Sequence, residues 1–413
     1  MAEHTPSKRR PVVVQKYGGS SVADVEKIGK VADRVVATQR AGNDVVVVVS
    51  AMGKTTDGLL ALARQVAATA GGNAEPPRRE LDMLVTTGER VAMSLLSIAI
   101  HARGMEAISF TGSQSGILTN DRHFDARIIE VRPYRIEDEL ARGRIVIVAG
   151  YQGMSYRREI TTLGRGGSDT TAVALAAALE ADRCEIYSDV DGVYSADPRA
   201  VPEARHLPEL DHAVLQEMAE CGAKVVCAQA VEWARRAGIA IYARSTFDPM
   251  NGEGEGARET VIRKFAPSQA PRARAVVAEQ NVALARAGEG MRLDEVLRAA
   301  SAVGLAFKDL SLGQGGGALV IPLLNVPDWQ AAKRQLTAAL PGLEIVEGVA
   351  VVSVVGDGLA GTAEPLARFV AALRGAGVEI RLTLAGPLRL GAVIDAAAAG
   401  PAQQALHREF VAG

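Results

Sequence analysis

At 413 residues the chain is long enough for two or three domains with separate cores, and its 48% hydrophobic and 23% charged composition excludes wholesale disorder. A formal net charge of −2 gives no global attraction to nucleic acid or anionic lipid. Cys184, Cys221 and Cys227 form no CxxC pair, which argues against a disulfide framework and a zinc site and fits a reducing cytosol.

The opening MAEHTPSKRRPVVVQ is polar and basic and lacks the apolar stretch of a secretory signal. No uninterrupted apolar run reaches the roughly 18 residues of a membrane span. The expectation is a cytoplasmic protein.

From Pro11 to about Asp248, short β-branched runs alternate with helical patterns. Strands are predicted at VVVQKY (12–17), DVVVVVS (44–50), EAISFTG (106–112), RIVIVAGY (144–151), CEIYSD (184–189) and IAIYARS (239–245). Several are apolar on both faces, as strands of a parallel sheet covered by helices on each side must be. ADVEKIGKVADRVVATQR and GERVAMSLLSIAIHARG repeat apolar residues at three- and four-residue intervals and read as helices between them. The βαβα order predicts one α/β sandwich.

Turn-rich NGEGEGAR (251–258) and APSQAPRARA (266–275) place a boundary within 248–275. The remainder reads as two similar halves. One runs VALARAG, RLDEVLRAASAVG, AFKDLSL, GALVIPLL and DWQAAKRQLTAAL; the other runs VAVVSVVG, PLARFVAALRGAG, VEIRLTL, RLGAVID and AQQALHREFVA. That pattern predicts two tandem ferredoxin-like α+β modules.

Four loops carry candidate chemistry. In QKYGGSS (15–21), Lys16 ends a strand, and Gly18, Gly19 and Ser20 precede a helix. Glycines let backbone N–H groups approach an anion and a lysine offsets its charge, although a tight turn with a surface lysine explains the stretch equally well. VVSAMGKTTDGLL (48–60) repeats the arrangement with Ser50, Gly53, Thr55 and Thr56. MLVTTGERVAM (83–93) places Glu89 at a helix start, where favouring the macrodipole is explanation enough. TTLGRGGSDTTAVALAAAL (161–179) offers Arg165, Gly166, Ser168 and Asp169, and Asp169 reads as the N-cap of the helix it introduces.

Loops at the carboxyl ends of strands in an open α/β sheet gather in one crevice, so these four should converge. Two cations with glycine-borne N–H groups suit a polyphosphate and a carboxylate, while a carboxylate suits an ammonium group.

Other patterns fail on inspection. No GxxxxGK[ST] occurs. EIYSDVDGVYSADPR (185–199) is rich in aspartate, but an EF-hand counted from Asp189 has Tyr194 at position 6 and Ala200 at position 12. A turn offering Tyr194 to a flat base and Arg199 to phosphates remains. VSVVGDGLAG (352–361) holds a GxGxxG with too little chain after it for a dinucleotide-binding sheet. None of the six histidines lies in the glycine-rich loops, which disfavours a hydrolase with a histidine base. Phosphoryl transfer to a carboxylate needs no base, because the acceptor is already an anion at neutral pH.

QKYGGSSVADVEKI, VVVSAMGKTTDGLL, LVTTGERVAM, SFTGSQSGI, IVAGYQG, TTLGRGGSDTTAVALAAALEAD and EIYSDVDGVYSADPR, in this order over about residues 12–246, resemble aspartate kinases. The resemblance implies a three-layer α/β/α amino-acid-kinase sandwich with a mainly parallel sheet (1–262), followed by two ferredoxin-like, ACT-type modules in tandem (263–413). It also implies ATP with Mg²⁺ and phosphorylation of the β-carboxylate of L-aspartate, the first step toward lysine, threonine and methionine.

By position, Lys16 would hold the transferring phosphoryl group, Asp169 would orient Lys16, and Gly18, Gly19 and Ser20 would line the phosphate path. Thr56, Glu89 and Arg165 would bind aspartate, Glu89 through its ammonium and Arg165 through its α-carboxylate, with Ser50, Gly166 and Ser168 beside them. Ser188, Asp189, Tyr194, Arg199 and Lys224 would bind nucleotide. No protein ligand for a metal is expected.

The C-terminal resemblance is to paired ACT modules that support homo-oligomers, but AGEGMRL, LAFKDLSL and AGPLRLGAVID depart from the family's turns and strands. Those departures argue against feedback by lysine or threonine. VVCAQAVE after Lys224 replaces the family's common His-Pro. Two other readings stay open: a sister kinase with another carboxylate acceptor, and a catalytically weak paralogue that senses a small molecule.

Overall fold

The computed structural model describes residues 10–69, 75–248, 258–264, 272–359 and 361–412, so the boundary placed in 248–275 lies largely outside the described residues. The chain forms two compact units. The first takes residues up to Val193 with Pro208–His212 and Val225–Lys264; the second takes Tyr194–Leu207, Ala213–Lys224 and the chain after Lys264.

In chain order the first part runs β1 (Val12–Tyr17), α1 (Val25–Arg40), β2 (Asp44–Val49), α2 (Thr55–Ala68), α3 (Arg78–His101), β3 (Ala107–Phe110), β4 (Ile117–Thr119) and β5 (Ile128–Val131). It continues with α4 (Tyr134–Ala141), β6 (Ile145–Ala149), β7 (Gln152–Ser155), β8 (Ile160–Thr162), α5 (Gly167–Ala178) and β9 (Arg183–Ser188). Short strands β10 (Val193–Tyr194), β11 (His206–Leu207) and β12 (Glu209–Asp211) follow, then α6 (His212–Glu220), α7 (Ala228–Ala237), β13 (Ile241–Ser245) and β14 (Glu259–Arg263).

The main sheet has the order β12-β14-β13-β9-β1-β2-β6-β3, with β13–β14 its antiparallel pair. Lys16 lies level with Val48 on one side and Ile186 on the other, and Val48 with Val148, so four parallel strands end at the same edge. Alternate strand residues feed two cores. Val45, Val47, Val49, Ile145 and Ile147 pack under α1 and α3. The opposite face carries α5, in contact with β1, β2 and β9, and backed by α7. All ten residues from Gly167 to Ala176 are buried, which explains why α5 is built from Ala, Val, Leu and Thr with no polar face. A separate four-stranded sheet, β5-β4-β7-β8, was not anticipated from sequence; its strands are only three or four residues long.

By length and composition α3 is the one described helix that passes for a membrane span. Its buried face, Leu81, Val85, Ala92, Leu96 and Ile100, also buries Asp82 and Glu89, as a core helix of the sandwich. It also corrects a boundary: the helix starts at Arg78, so Glu89 sits mid-helix and has no cap role.

The second unit contains β15 (Arg272–Ala287), α8 (Leu293–Ala302), β16 (Lys308–Gly313), β17 (Gly316–Pro322), α9 (Trp329–Ala339) and β18 (Leu343–Asp357). It ends with α10 (Ala363–Gly375), β19 (Leu382–Gly386), β20 (Arg389–Asp395) and α11 (Ala399–Phe410). These strands make one antiparallel sheet in the order β16-β17-β15-β18-β20-β19.

The two modules are therefore nested rather than simply tandem. The end of β15 joins Val296, Ala300, Leu319 and Leu336 in one core, whereas Val276 near its start joins Val352, Phe369, Leu373, Ile394 and Leu406 in the other. A single long strand lends one half to each module. Gly356 and Gly358 close β18, which is antiparallel to both neighbours, so the GxGxxG there has no βαβ context.

Candidate active site

The chemistry-bearing loops leave the first unit's sheet from its shared carboxyl edge. Lys16 is the penultimate residue of β1, and its Nζ lies 2.6 Å from Asp169 Oδ1, with side-chain exposures of 11% and 9%. The ammonium is the partner of an oxygen that has no other one and is otherwise buried. Asp169 is not the N-cap: Gly166, in the left-handed region at φ 76°, holds that place, and Asp169 stands in the first turn of α5. Its carboxylate is spent on Lys16, across the sheet's end.

Gly19 joins the first two loops. Gly53 N–H donates to its carbonyl at 3.0 Å, and a Cβ on Gly19 would lie 2.8 Å from Ala51 O. Gly18 N–H donates to Tyr187 O, and Ser50 N–H to Tyr17 O, so both loops are tied to their strands. Ser20 and Thr56 are half-buried beside these turns.

Glu89 reaches the same edge from α3 and is 3% exposed. Oε1 accepts from Ala51 N–H at 3.1 Å, while Oε2 is buried without a hydrogen-bond partner. Burial pushes its carboxyl up to about 7, against the opposing pull of backbone N–H groups. A carboxylate with an orphaned oxygen in a dry place is a receptor for a cation.

Arg165 is exposed between Gly164 and Gly166, both at positive φ (73° and 76°). Ser168 is 7% exposed and packs where Gly150 lacks a side chain, since a Cβ there would be 2.6 Å from its Oγ. Ser188 ends β9, and its Oγ accepts from Val190 N–H at 3.3 Å, with Asp189 exposed next to it. Lys16, Gly18–Ser20, Ser50, Thr56, Glu89, Arg165–Asp169 and Ser188 thus all belong to the first unit, at strand ends, in the loops after them, in the first turns of α2 and α5, or on α3. Tyr194, Arg199 and Lys224 belong to the second unit. There Tyr194 stacks edge-on with His206 at 5.5 Å, and Arg199 forks onto Asp197 at 3.0 and 2.8 Å.

Sequence reasoning missed three supports. Asp82, fully buried two turns from Glu89 on the same face of α3, accepts from Thr162 Oγ1 (2.5 Å) and Phe124 N–H (3.1 Å) and pairs with His123 Nδ1 (2.6 Å). Tyr151 holds a positive φ of 69°, and its phenol is pushed up by burial and by Glu89 and Asp82. Cys227 lies against Gly166 and Thr170. Tyr151 had a signal inside IVAGYQG, and Cys227 one in the VVCAQAVE departure; Asp82 had none.

The amino acid kinase family model matches residues 11–245, and an ACT domain model matches residues 352–410. Aspartokinases of Mycolicibacterium smegmatis and Corynebacterium glutamicum are each 42% identical over 419 residues, covering 97% of this chain and 96% of theirs. The chain belongs to the aspartokinase family. Among solved structures, E. coli aspartokinase III in complex with aspartate and ADP (R-state) matches with a TM-score of 0.83 at 26% identity, covering 97% of this chain and 99% of that one.

With the family assigned, the sandwich is its amino-acid-kinase part and the C-terminal sheet carries its ACT part. Among the described residues no group of three or more His, Cys, Asp or Glu is placed to hold a metal ion.

Proposed function

We propose that this chain moves the terminal phosphoryl group of ATP onto the β-carboxylate of L-aspartate, giving 4-phospho-L-aspartate and opening amino-acid biosynthesis toward lysine, threonine and methionine. The observation that carries the reading is the pairing of Lys16 with Asp169 at the sheet edge that Glu89 also reaches. A nucleophilic carboxylate needs no base, so catalysis reduces to placing two anions together and offsetting their charge.

Lys16 supplies that charge at the transferring group, and Asp169 fixes where its ammonium sits. Gly18 N–H is used by Tyr187 O, which leaves the turn at Gly19 and Ser20 to offer backbone N–H groups to a phosphate chain. Mg²⁺ bound with the nucleotide would supply charge that offsets its phosphates.

Glu89 receives the substrate ammonium through its orphaned oxygen, and Arg165 the α-carboxylate, with Ser50, Thr56, Gly166 and Ser168 lining that pocket. Ser188, Asp189, Tyr194, Arg199 and Lys224 are proposed for the nucleotide on resemblance. The ACT-type unit is proposed to support a homo-oligomer, and the three free cysteines suit the cytoplasm. Feedback by lysine or threonine is not part of the proposal.

Incubation with ATP, Mg²⁺ and L-aspartate should give an acyl phosphate trapped by hydroxylamine, lost in Lys16→Ala and in Arg165→Ala. Turnover of glutamate, N-acetylglutamate or a nucleoside monophosphate in place of aspartate would overturn the reading in favour of a sister kinase.

A further inference from the structure

Arg165 stands on a loop between two glycines at the entrance to α5. Both neighbours, Gly164 and Gly166, adopt left-handed backbone conformations that cost glycine little. What fixes the Gly166 peptide is its carbonyl, which accepts from Asp169 N–H at 3.0 Å and from Thr170 N–H at 3.3 Å. A third donor comes from 61 residues away in sequence: Cys227 Sγ–H, at 3.1 Å.

Cys227 precedes α7 and makes no side-chain cap to that helix. Having one proton and giving it to Gly166 O, the sulfur accepts from Thr170 Oγ1 at 3.1 Å. A Cβ on Gly166 would lie 2.5 Å from Cys227 Cβ, so the loop and the cysteine are in closest contact. Burial pushes the thiol up to about 11, which keeps it a neutral donor at physiological pH.

We propose that Cys227 is a positioning residue for the amino-acid substrate: its thiol locks the Gly166 peptide, and through it the register of Arg165 against Asp169. The inference rests on the proposed role of Arg165 in binding the substrate carboxylate. Cys227 touches no reacting atom. Loosening the loop acts on the residue that faces the amino acid, while Asp169, buried in the first turn of α5, keeps its place against Lys16.

The test is steady-state kinetics of Cys227→Ala and Cys227→Ser with both substrates varied. Losing one such hydrogen bond should raise KM for L-aspartate about three- to tenfold, with KM for ATP and kcat within about twofold. Serine keeps a donor and an acceptor in that place and should restore most of the loss. Should the alanine variant not fold, Cys227→Val, which fills the thiol's space without a donor, carries the same test.

An unchanged KM for aspartate, an equal rise in both KM values, or a defect that serine does not relieve would overturn the inference. Absence of aspartate turnover in the unmutated chain would instead defeat the functional reading itself, so the two failures are distinguishable.

Discussion

Replacing Glu89 by glutamine takes a charge out of a place where the fold disfavours one. The side chain is 3% exposed and one of its oxygens has no partner. Its carboxyl stands at about 7 instead of an ordinary 4.5, mainly through desolvation. At 1.36 kcal/mol per pH unit, that difference corresponds to about 3 kcal/mol. The folded-state value is raised, so the protonated acid is at home below the ordinary value. The cost of ionising it appears as pH rises from about 4.5 to 7 and is complete above that.

Ligand-free Glu89→Gln should therefore gain stability over the unmutated chain as pH rises. The gap in urea unfolding should be small at pH 5 and approach about 3 kcal/mol at pH 8.5, less the burial cost of the amide. The same group predicts proton-linked binding. At pH 7 about half of the Glu89 carboxyls carry a proton, and pairing with an ammonium expels it, so aspartate binding should release about half a proton per site. Calorimetry in phosphate and in Tris reads this directly, because the observed heat then depends on the buffer. Apparent affinity should fall about tenfold per pH unit well below 7, and Glu89→Gln should abolish both effects. Proton-neutral aspartate binding at pH 7, with a glutamine variant no more stable than its parent at pH 8.5, would refute the reasoning.

Three further outcomes follow from contacts in the structure. Gly19→Ala puts a Cβ 2.8 Å from Ala51 O and 3.1 Å from Gly53 O, both backbone, so the turn must shift; kcat should drop about tenfold or more in the hydroxamate assay, whereas Gly18→Ala, with only ordinary contacts, should fold and turn over far better. Asp82→Ala leaves Thr162, His123 and Phe124 without their shared acceptor and should cost about 3 kcal/mol or more in urea unfolding. In the second unit, buried His407 meets Ser195 Oγ at 2.8 Å, and desolvation lowers its imidazole from the ordinary 6.5. Because the unfolded chain takes up that proton more readily, stability should be lost as pH falls below 6.5, and His407→Gln should show a smaller loss between pH 7.5 and 5.5 in the same unfolding measurement.

The sheet was legible because its strands are buried on both faces. VVVQKY and DVVVVV can be nothing but interior parallel strands, and glycine and serine at their ends mark loops that such a sheet gathers at one edge. Lys16 and Asp169 were legible from residue types only as a cation and an anion at loop ends, and their partnership only through the family resemblance, because 153 residues separate them and only the placing of α5 beneath β1 brings them to 2.6 Å. The contacts of Cys227 were illegible for the same reason: its partners are a carbonyl and a hydroxyl, which leave no periodicity to read. The nested C-terminal modules escaped because the pattern that announces a module begins at Val282, whereas β15 begins ten residues earlier and its first half is used by the other core.

Glu89 is where sequence logic misled most usefully. Gly88 reads as punctuation, and a carboxylate just after it reads as a helix start. In the structure α3 runs straight through, and the glycine is there for space: a Cβ at Gly88 would lie 2.8 Å from Ala51 Cβ. Any larger residue would hold α3 away from the turn after β2. Close approach is what lets Glu89 take the Ala51 N–H with one oxygen and leaves the other dry and unpaired. A glycine that costs a helix interior roughly 1 kcal/mol is therefore the residue that creates the ammonium receptor, and the penalty in helix propensity and the perturbed carboxyl have one cause.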